Sequence, residues 1–112
     1  MLIPIGDSRK LYVRGPISVN QLLEFGKYGV NAMRIFWYIR MQEGKLVSAG
    51  ILKPKEHTFI RLDNINLEAV AGVHKSVKWD RLRALEENGL IELKVNGTGK
   101  APEAKIIVPC LH

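Results

Sequence analysis

The clearest periodic pattern in the chain lies between residues 75 and 88, where hydrophobic and polar positions repeat at helical spacing. One side of the predicted helix holds positions that are four, three and four residues apart, namely Lys78, Leu82, Leu85 and Gly89. Leu82 and Leu85 are its apolar anchors. The opposite side is polar and holds Ser76, Asp80, Arg83 and Glu87. Asn88 and Gly89 predict the end of the helix, because glycine readily takes the left-handed conformation that closes one.

Two strands are predicted after this helix, over residues 90–95 and 104–108, where apolar and β-branched side chains predominate. The residues between them, 96–102 (NGTGKAP), are typical of turns. Residues 58–62 (TFIRL) are β-branched and aromatic with partial alternation, so they predict a short strand upstream. This segment could add a third strand to the hairpin.

A short helix ending at Ala71 is predicted between that strand and the long helix. Asn64 or Asn66 is its expected N-cap, because asparagine side chains accept hydrogen bonds from the first free amides of a helix. Its inward face, at three-four spacing, consists of Leu67, Val70 and Ala71. Gly72 permits a sharp turn, and Val73 is expected to fill the gap between the two helices.

The N-terminal half of the chain predicts two further helices. Ser18 is a good N-cap for a helix from residue 19 to about 27, with Leu22 and Leu23 pointing inward. Residues 30 to about 42 are so apolar that they predict a buried central helix, covered on one side by residues 16–27 and on the other by the two later helices. Alternatively, part of its apolar surface lies in a dimer interface. Residues 44–57 predict an insertion with its own hairpin or helical turn.

The order of the later elements resembles the winged helix-turn-helix domain of DNA-binding proteins. Residues 82–91 (LRALEENGLI) are similar to the end of the recognition helix in many small bacterial regulators. The resemblance implies an α+β fold, mainly helical with a small antiparallel β wing. It also implies that the long helix enters a DNA groove and that the glycine-rich basic hairpin is the wing.

A narrower resemblance covers about residues 12–108. Residues 14–17 (RGPI), the apolar middle helix and residues 72–75 (GVHK) resemble a group of short bacterial, plasmid and phage-type winged-helix proteins. The chain departs from the usual pattern at Lys78, where a regulator has an apolar residue. We expect the stem of Lys78 to run along the core and its amine to snorkel out to solvent.

Length and composition agree with a single domain over residues 1–112, divided into an N-terminal extension (1–29), a core helix and insertion (30–57), and the strand, helix-turn-helix and wing (58–108). The net charge of +6 and the isoelectric point near 9.7 favour a polyanion or an acidic surface as partner. With Cys110 as its one cysteine, the chain cannot form an internal disulfide, which fits a reducing cytosol. The expected localisation is cytoplasmic, in association with the nucleoid. Neither a signal peptide nor a membrane span is predicted.

Other chemistry has little support in the sequence. The three histidines and Cys110 lack the spacing of a metal site, so we expect no metal and no cofactor. Residues 96–100 (NGTGK) superficially suggest a phosphate-binding loop, but they lack its spacing and its following helix. Glu86 and Glu87 are expected to be solvated at a helix end. No nucleophile or acid-base constellation predicts an enzyme.

The expected function is therefore sequence-specific binding of double-stranded DNA by a small transcriptional or mobile-element regulator. A second copy of the chain, in a homodimer, is a further candidate partner. The residues expected to contact DNA from the helix and the wing are Lys75, Ser76, Lys78, Trp79, Arg83, Lys94, Asn96, Lys100 and Lys105. Trp79 either packs in the core or lies partly exposed against a sugar-phosphate edge. Asp80 either accepts a hydrogen bond from a cytosine or pairs with Arg81 or Arg83. Two rival functions are a protein-interaction module and a non-specific DNA-binding component of a replication or segregation complex.

Overall fold

The first helix, α1, spans Val19–Gly26 and packs on the second with a different face from the one predicted. In this computed structural model, which describes residues 13–15, 17–54 and 56–107, Ser18 caps α1 as expected, since its Oγ accepts a hydrogen bond from the Gln21 amide at 3.0 Å. Gln21 and Phe25 are buried, whereas Leu22 and Leu23 are exposed, so their predicted inward orientation is wrong. The ring of Phe25 stacks on that of Phe36, and this aromatic pair decides which face turns inward.

The second helix, α2, spans Val30–Ser48 and is longer than predicted. It absorbs residues 44–48, so the expectation that residues 44–57 form a separate insertion is wrong for that part. The helix closes at Gly50, which has a φ of 75°, and the Ile51 amide bonds back to the Leu46 carbonyl at 2.9 Å. As predicted, α2 lies at the centre of the core, with α1 on one side and the later helices on the other.

A buried ion cluster fixes the chain on both sides of α2. The carboxylate of Glu43 is fully buried and lies 3.3 Å from Nη1 of Arg14, 3.3 Å from Nη1 of Arg40 and 2.7 Å from Nδ1 of His57. Arg14 also donates to the Glu56 carbonyl oxygen at 2.6 Å. These contacts hold the segment after α2 and the residues before α1 against the same helix.

The short third helix begins as α3, Asn64–Asn66, and continues as a π-helical segment, Leu67–Ala71. Its N-cap is Asp63 rather than Asn64 or Asn66, because the Asp63 carboxylate accepts from the Asn66 amide at 3.0 Å and from its side chain at 3.1 Å. Gly72 takes a φ of 72°, so the predicted sharp turn is confirmed. Val73 is buried in the gap between the helices, also as predicted.

The long helix, α4, spans Lys75–Glu87 and ends at Asn88 and Gly89 as predicted. Leu82 and Leu85 are fully buried, which confirms them as the apolar anchors. Lys78 is 3% exposed, so the expectation that its amine reaches solvent is wrong. Its Nζ instead donates to the carbonyl oxygen of Leu62 at 3.0 Å.

Three strands in the described part of the chain form an antiparallel sheet of order β1-β3-β2. They are β1 (Ile60–Arg61), β2 (Ile91–Lys94) and β3 (Glu103–Ile106). The predicted addition of the upstream strand to the hairpin is confirmed, since Ile60 pairs with Ala104 and Arg61 with Glu103. Ile60, Ile91 and Ala104 face the core, and the intervening side chains form an outer face.

The described residues therefore form an α+β arrangement of helices and one small antiparallel sheet around a shared core. Within these residues, no helix is both long enough and apolar enough to cross a membrane. Several residues used in the sequence analysis lie outside the described ranges: Pro16, Val108, Cys110 and His112.

Candidate nucleic-acid interface

The outward face of α4 brings four of the predicted contact residues together. Lys75, Ser76 and Arg83 are exposed, and Trp79 is half-buried at the boundary of the core. Lys75, Trp79 and Arg83 are successive steps of four along the helix, so their side chains form one row. Because α4 buries Lys78, Leu82 and Leu85, this row runs along the flank of the helix, beside its buried face.

The start of α4 is capped by a histidine. Nδ1 of His74 accepts from the Ser76 amide at 3.1 Å and lies 2.8 Å from the Ser76 hydroxyl. The cap fixes the Ser76 side chain at the first turn of the helix. The amides of this turn carry the partial positive charge of the helix dipole, which favours an anion near Lys75 and Ser76.

Trp79 is flanked by two cationic side chains. Nζ of Lys78 lies 5.8 Å from the ring centroid, and Cζ of Arg83 lies 5.6 Å from it. A cation at this distance is attracted by the electron-rich face of the indole. The contact with Arg83 limits the rotamers of that exposed arginine and holds its guanidinium near the middle of the helix surface.

The one carboxylate in the middle of this surface is already paired. Both Nε and Nη2 of Arg81 contact Oδ2 of Asp80, and Nη1 of Arg81 donates to the Tyr28 carbonyl oxygen at 3.0 Å. Of the two arginines predicted as partners of Asp80, the structure pairs it with Arg81 and not with Arg83. The negative charge of Asp80 is therefore largely offset, and Arg81 is held against the turn between α1 and α2.

A groove of about 540 Å³ separates α4 from the loop between β2 and β3. Lys78 and Trp79 line one wall, and the loop from Gly97 to Pro102 lines the other. Residues 61 and 63–65 form the end of the groove. They lie beside the loop because the amide of the buried Leu62 bonds to the Pro102 carbonyl oxygen at 2.9 Å. The structure thus brings Trp79 and Lys100 to one groove, as expected for residues acting on one ligand.

Arg61 and Asn64 are among the polar residues of this groove that the sequence did not predict as contacts. Arg61 is exposed and lies beside the loop because it pairs with Glu103 in the sheet. Asn64 is exposed at the start of α3 and lines the same groove. The position of Arg61 could have been predicted from the sequence, since a third strand paired with the hairpin places its last residue near the loop.

Lys78 contributes to the groove wall from inside the protein. Burial lowers the pKa of its ammonium group below the ordinary value of 10.5, and the Asp63 carboxylate opposes this shift. Because Nζ already donates to the Leu62 carbonyl oxygen, Lys78 fixes the distance between α4 and the segment after β1. Its expected role as a surface contact is therefore corrected to a positioning role.

Asn96 closes the base of the β2–β3 loop. Its Nδ2 donates to the Ala101 carbonyl oxygen at 3.1 Å and to Oε2 of Glu103 at 2.9 Å. These bonds join the two ends of the loop. At the tip of the loop, Gly97 and Gly99 take positive φ angles, which glycine adopts without strain. The Asn96 amide is thus occupied within the protein, whereas Lys100 is exposed on the loop.

Lys94 and Lys105 lie apart from the groove, on the outer face of the sheet. Their Nζ atoms lie 5.8 Å and 5.9 Å from the ring centroid of Phe59. Nζ of Lys94 is also 3.9 Å from Oε2 of Glu103, a partly exposed ion pair. The structure therefore separates these two predicted contacts from Trp79 and Lys100 instead of collecting all of them at one surface.

Metal-ligating side chains do not gather in the described ranges, where no group of three or more His, Cys, Asp and Glu side chains is placed to hold an ion. His57 contacts Glu43, and His74 contacts Ser76. In comparisons with known proteins, no family model, curated protein or solved structure matches this chain. The chemistry of the site therefore has to be argued from its own geometry.

Proposed function

We propose that this chain is a winged helix-turn-helix protein that binds double-stranded DNA sequence-specifically and acts as a small regulator of transcription or of a mobile element. In this proposal, α3 with its π-helical extension is the first helix of the motif, and α4 is the recognition helix. The β2–β3 hairpin is the wing. The proposal extends the resemblance in sequence to the arrangement of the helices and the sheet.

The observation that carries the proposal is the shared groove between α4 and the β2–β3 loop. The half-buried Trp79, which lies on α4 between the exposed Lys75 and Arg83, lines one side of it, and the exposed Lys100 lines the other. The major groove of B-DNA is about 12 Å wide and admits one α-helix. A helix inserted there brings a neighbouring loop to the adjacent phosphate backbone, where a lysine contributes affinity without reading sequence.

Within this proposal, the contacts divide by their surroundings. Lys75, Ser76, Trp79 and Arg83 face the major groove, and Arg83 is the residue best suited to a guanine edge. Lys100 and Arg61 contact phosphates flanking the groove. Lys94 and Lys105, on the outer face of the sheet, contribute mainly to the positive field around the protein.

The fixed parts of the site would reduce the ordering that binding requires. The His74 cap holds Ser76, the indole of Trp79 restrains Arg83, and the amide of Asn96 braces the loop. Side chains that are ordered before binding lose less conformational entropy when they meet a ligand. This supports an interface that discriminates between sequences rather than a merely basic surface.

Fluorescence anisotropy with duplexes selected from a random pool tests the proposal. The selected duplex should bind about a thousand-fold or more tighter than a scrambled duplex of the same composition. Equal binding to both duplexes would favour the non-specific component of a nucleoprotein complex. No binding to any duplex, together with binding to an acidic protein surface, would favour the protein-interaction module.

Salt dependence supplies a second measurement on the same samples. The logarithm of affinity should fall linearly with the logarithm of salt concentration, by roughly 0.9 per phosphate contacted. A site with about four to six phosphate contacts per subunit would then give a steep dependence. An affinity that does not change with salt would contradict binding through the lysines and arginines of this interface.

A further inference from the structure

A second cavity lies between α2 and the first strand of the sheet. Its volume is about 540 Å³, and it is lined by the C-terminal half of α2, by Phe59 and β1, and by the start of α3. We call it the α2–β1 cavity. Apart from Arg61 and Asp63, its lining residues do not line the groove beside α4. A cavity of this size accommodates a small organic molecule.

One part of the cavity wall is apolar. Leu46 on α2 and Phe59 before β1 are half-buried, and Ala49, the C-cap of α2, is exposed. Ile60 is buried and completes this part of the wall. Apolar side chains that still meet water gain free energy when an apolar group covers them. The wall therefore suits a ligand with an apolar body.

Two cations line the same cavity. Lys45 is half-buried in the last turn of α2, and Arg61 is exposed at the end of β1. In the described part of the chain, neither of them lies in an ion pair. The carboxylate of Asp63 interacts with the charge of Arg61, but it already accepts from the amide and the side chain of Asn66. Two positive groups and one negative group leave an excess of positive charge, which favours a monoanion.

Lys45 is not needed by the helix on which it lies. A lysine in the last turn often bonds to the free carbonyl groups at the helix end. In α2 the amides that follow take this role, since the Ala49 amide bonds to the Lys45 carbonyl oxygen at 3.0 Å. The amides of Ile51 and Leu52 both bond to the Leu46 carbonyl oxygen, at 2.9 Å and 3.1 Å. The ammonium group of Lys45 is therefore available to a ligand.

The deepest part of the cavity is formed by Tyr38, which is 1% exposed, and by its hydrogen-bonded partner Gln42. Burial raises the pKa of the Tyr38 hydroxyl above its ordinary value of 10.0, and the bond with Gln42 opposes this shift. The phenol therefore keeps its proton at neutral pH. Both side chains add polar groups to the cavity without adding charge.

We propose that the α2–β1 cavity binds a small organic monocarboxylate. Its carboxylate contacts Lys45 and Arg61. Its apolar body lies against Leu46 and Phe59. The excess positive charge selects an anion, and the half-buried apolar wall selects a ligand with a ring or a branched chain over a bare inorganic ion.

This inference does not depend on DNA binding, because most of the cavity wall lies outside the groove beside α4. Arg61 lines both surfaces, so a variant of Arg61 would affect both. Lys45 lines the cavity and not the groove. Substitution of Lys45 therefore tests the ligand site without changing the proposed DNA contacts.

Nuclear magnetic resonance titration of the full, isotope-labelled chain with 2-naphthoate tests the proposal. 2-Naphthoate combines a carboxylate with a ring, and 2-naphthamide has nearly the same shape without the charge. 2-Naphthoate should bind with a Kd of about a millimolar or below, as expected of a ligand this small. 2-Naphthamide should bind at least about tenfold more weakly. The amide signals of residues 42–49 and 59–63 should shift most.

Variants of Lys45 separate the charge from the shape of the cavity. Lys45→Gln should weaken 2-naphthoate binding by roughly tenfold and leave 2-naphthamide binding unchanged, since only the carboxylate loses a cation. Lys45→Arg keeps the charge and should bind 2-naphthoate like the parent. Lys53→Gln is the matched control, because it removes the same charge at an exposed position that does not line the cavity. It should also bind like the parent, and all three variants should keep the helical circular dichroism of the parent.

Four results would overturn the assignment of the α2–β1 cavity as a carboxylate site. They are no binding of 2-naphthoate at millimolar concentration, equal affinities for 2-naphthoate and 2-naphthamide, and a Lys45→Gln variant that binds 2-naphthoate as tightly as the parent. The fourth is a set of shifts confined to residues 97–102, which would place the carboxylate in the groove beside α4 instead.

Discussion

The ammonium nitrogen of Lys78 lies 3.0 Å from the carbonyl oxygen of Leu62, inside the protein. This bond joins α4 to the segment that connects β1 with α3. The bond satisfies the buried carbonyl oxygen with a hydrogen-bond donor, but it also places a cation where water has little access, which costs solvation free energy. Lys78 thus sets the position of the helix whose outer face carries Trp79 and Arg83.

We predict that Lys78→Met changes how stability depends on pH. Burial lowers the pKa of Lys78 below 10.5 in the folded protein, so the folded state loses this proton before the unfolded state does. Between the lowered pKa and 10.5 the unfolded state binds more protons, and stability rises with pH. The free energy of unfolding of the parent, minus that of Lys78→Met, should therefore increase as pH is raised towards 10.5.

Urea unfolding of both proteins at a series of alkaline pH values measures this difference. Taking the difference removes the contributions of the other titrating groups, which the two proteins share. Two pH profiles that run parallel would show that the amine of Lys78 is solvated and that the buried bond to Leu62 is not formed.

The buried carboxylate of Glu43 should be far more important for stability than a surface carboxylate. Glu43→Gln leaves Arg14 and Arg40 without their shared counter-charge in a buried place, and breaking such a pair costs about 3–5 kcal/mol. Glu24→Gln, which removes the exposed ion pair with Lys27, should cost about 0–1 kcal/mol. Chemical denaturation compares the two, and equal losses would contradict the burial of the cluster.

Removing the large core side chains should be costly. Phe36→Ala should lower the free energy of unfolding by about 3–5 kcal/mol and Leu85→Ala by about 2–5 kcal/mol, because each leaves a cavity. Val95→Ala, at a position that is 64% exposed, is the control and should change it by less than about 0.5 kcal/mol. Thermal unfolding of the three variants separates a packed core from a loose one.

Asp63 should stabilise the protein as the cap of α3. Asp63→Ala should lower the free energy of unfolding by about 0.5–2 kcal/mol, the usual loss for an N-cap.

Burial raises the pKa of Asp63, but the hydrogen bonds from Asn66 and the charge of Arg61 outweigh this effect and lower the pKa below 3.8. The contribution of ionised Asp63 is therefore present above pH 3.8 and is lost as pH falls through the lower, folded-state pKa. Acid unfolding of Asp63→Asn beside the parent measures this loss.

The sequence predicted those elements whose pattern is local. Leu82 and Leu85 repeat at helical spacing and are buried, Gly72 and Gly89 take the left-handed conformation, and Ser18 caps α1. Each depends on residues within a few positions of one another, where spacing and turn chemistry decide the outcome. The antiparallel addition of β1 to the hairpin was also predictable from its composition.

The sequence did not predict features that depend on distant partners. Leu22 and Leu23 look like core residues until Phe36 is known to lie against Phe25. The helix α2 continues through residues 44–48. Glu43 in this helix contacts Arg14 and His57, which are far from it in the chain. The burial of Lys78 depends on a carbonyl oxygen sixteen residues away. Tertiary contacts override local propensity at each of these places.

The candidate site divides in the same way. Ser76 and Arg83 were placed outward by helical spacing alone, and the structure exposes both of them as well as Lys75. Predicting that Asn96 and Lys78 bond within the protein would have required the packing of the loop and of α4. Predicting that Arg61 lies beside the loop would have required the sheet register. Charge in the sequence therefore indicated more potential contacts than the fold brings to one groove.

Binding by three single-charge variants tests the central claim most directly. Arg83 lies on the outer face of α4 and Lys100 lines the groove from the β2–β3 loop, whereas Lys53 is exposed and does not line the groove. Each alanine substitution removes one positive charge, so a pure field effect would weaken binding equally in all three. Fluorescence anisotropy on selected and scrambled duplexes at several salt concentrations distinguishes the alternatives.

The account predicts three different results from that measurement. Arg83→Ala should cost about 1–3 kcal/mol on the selected duplex and relax base preference. Lys100→Ala should weaken both duplexes nearly equally and lower the salt slope by about one unit. Lys53→Ala should change little beyond screened, long-range attraction. Equal losses for all three variants on both duplexes would contradict the assignment of α4 and the β2–β3 loop as the DNA-binding surface.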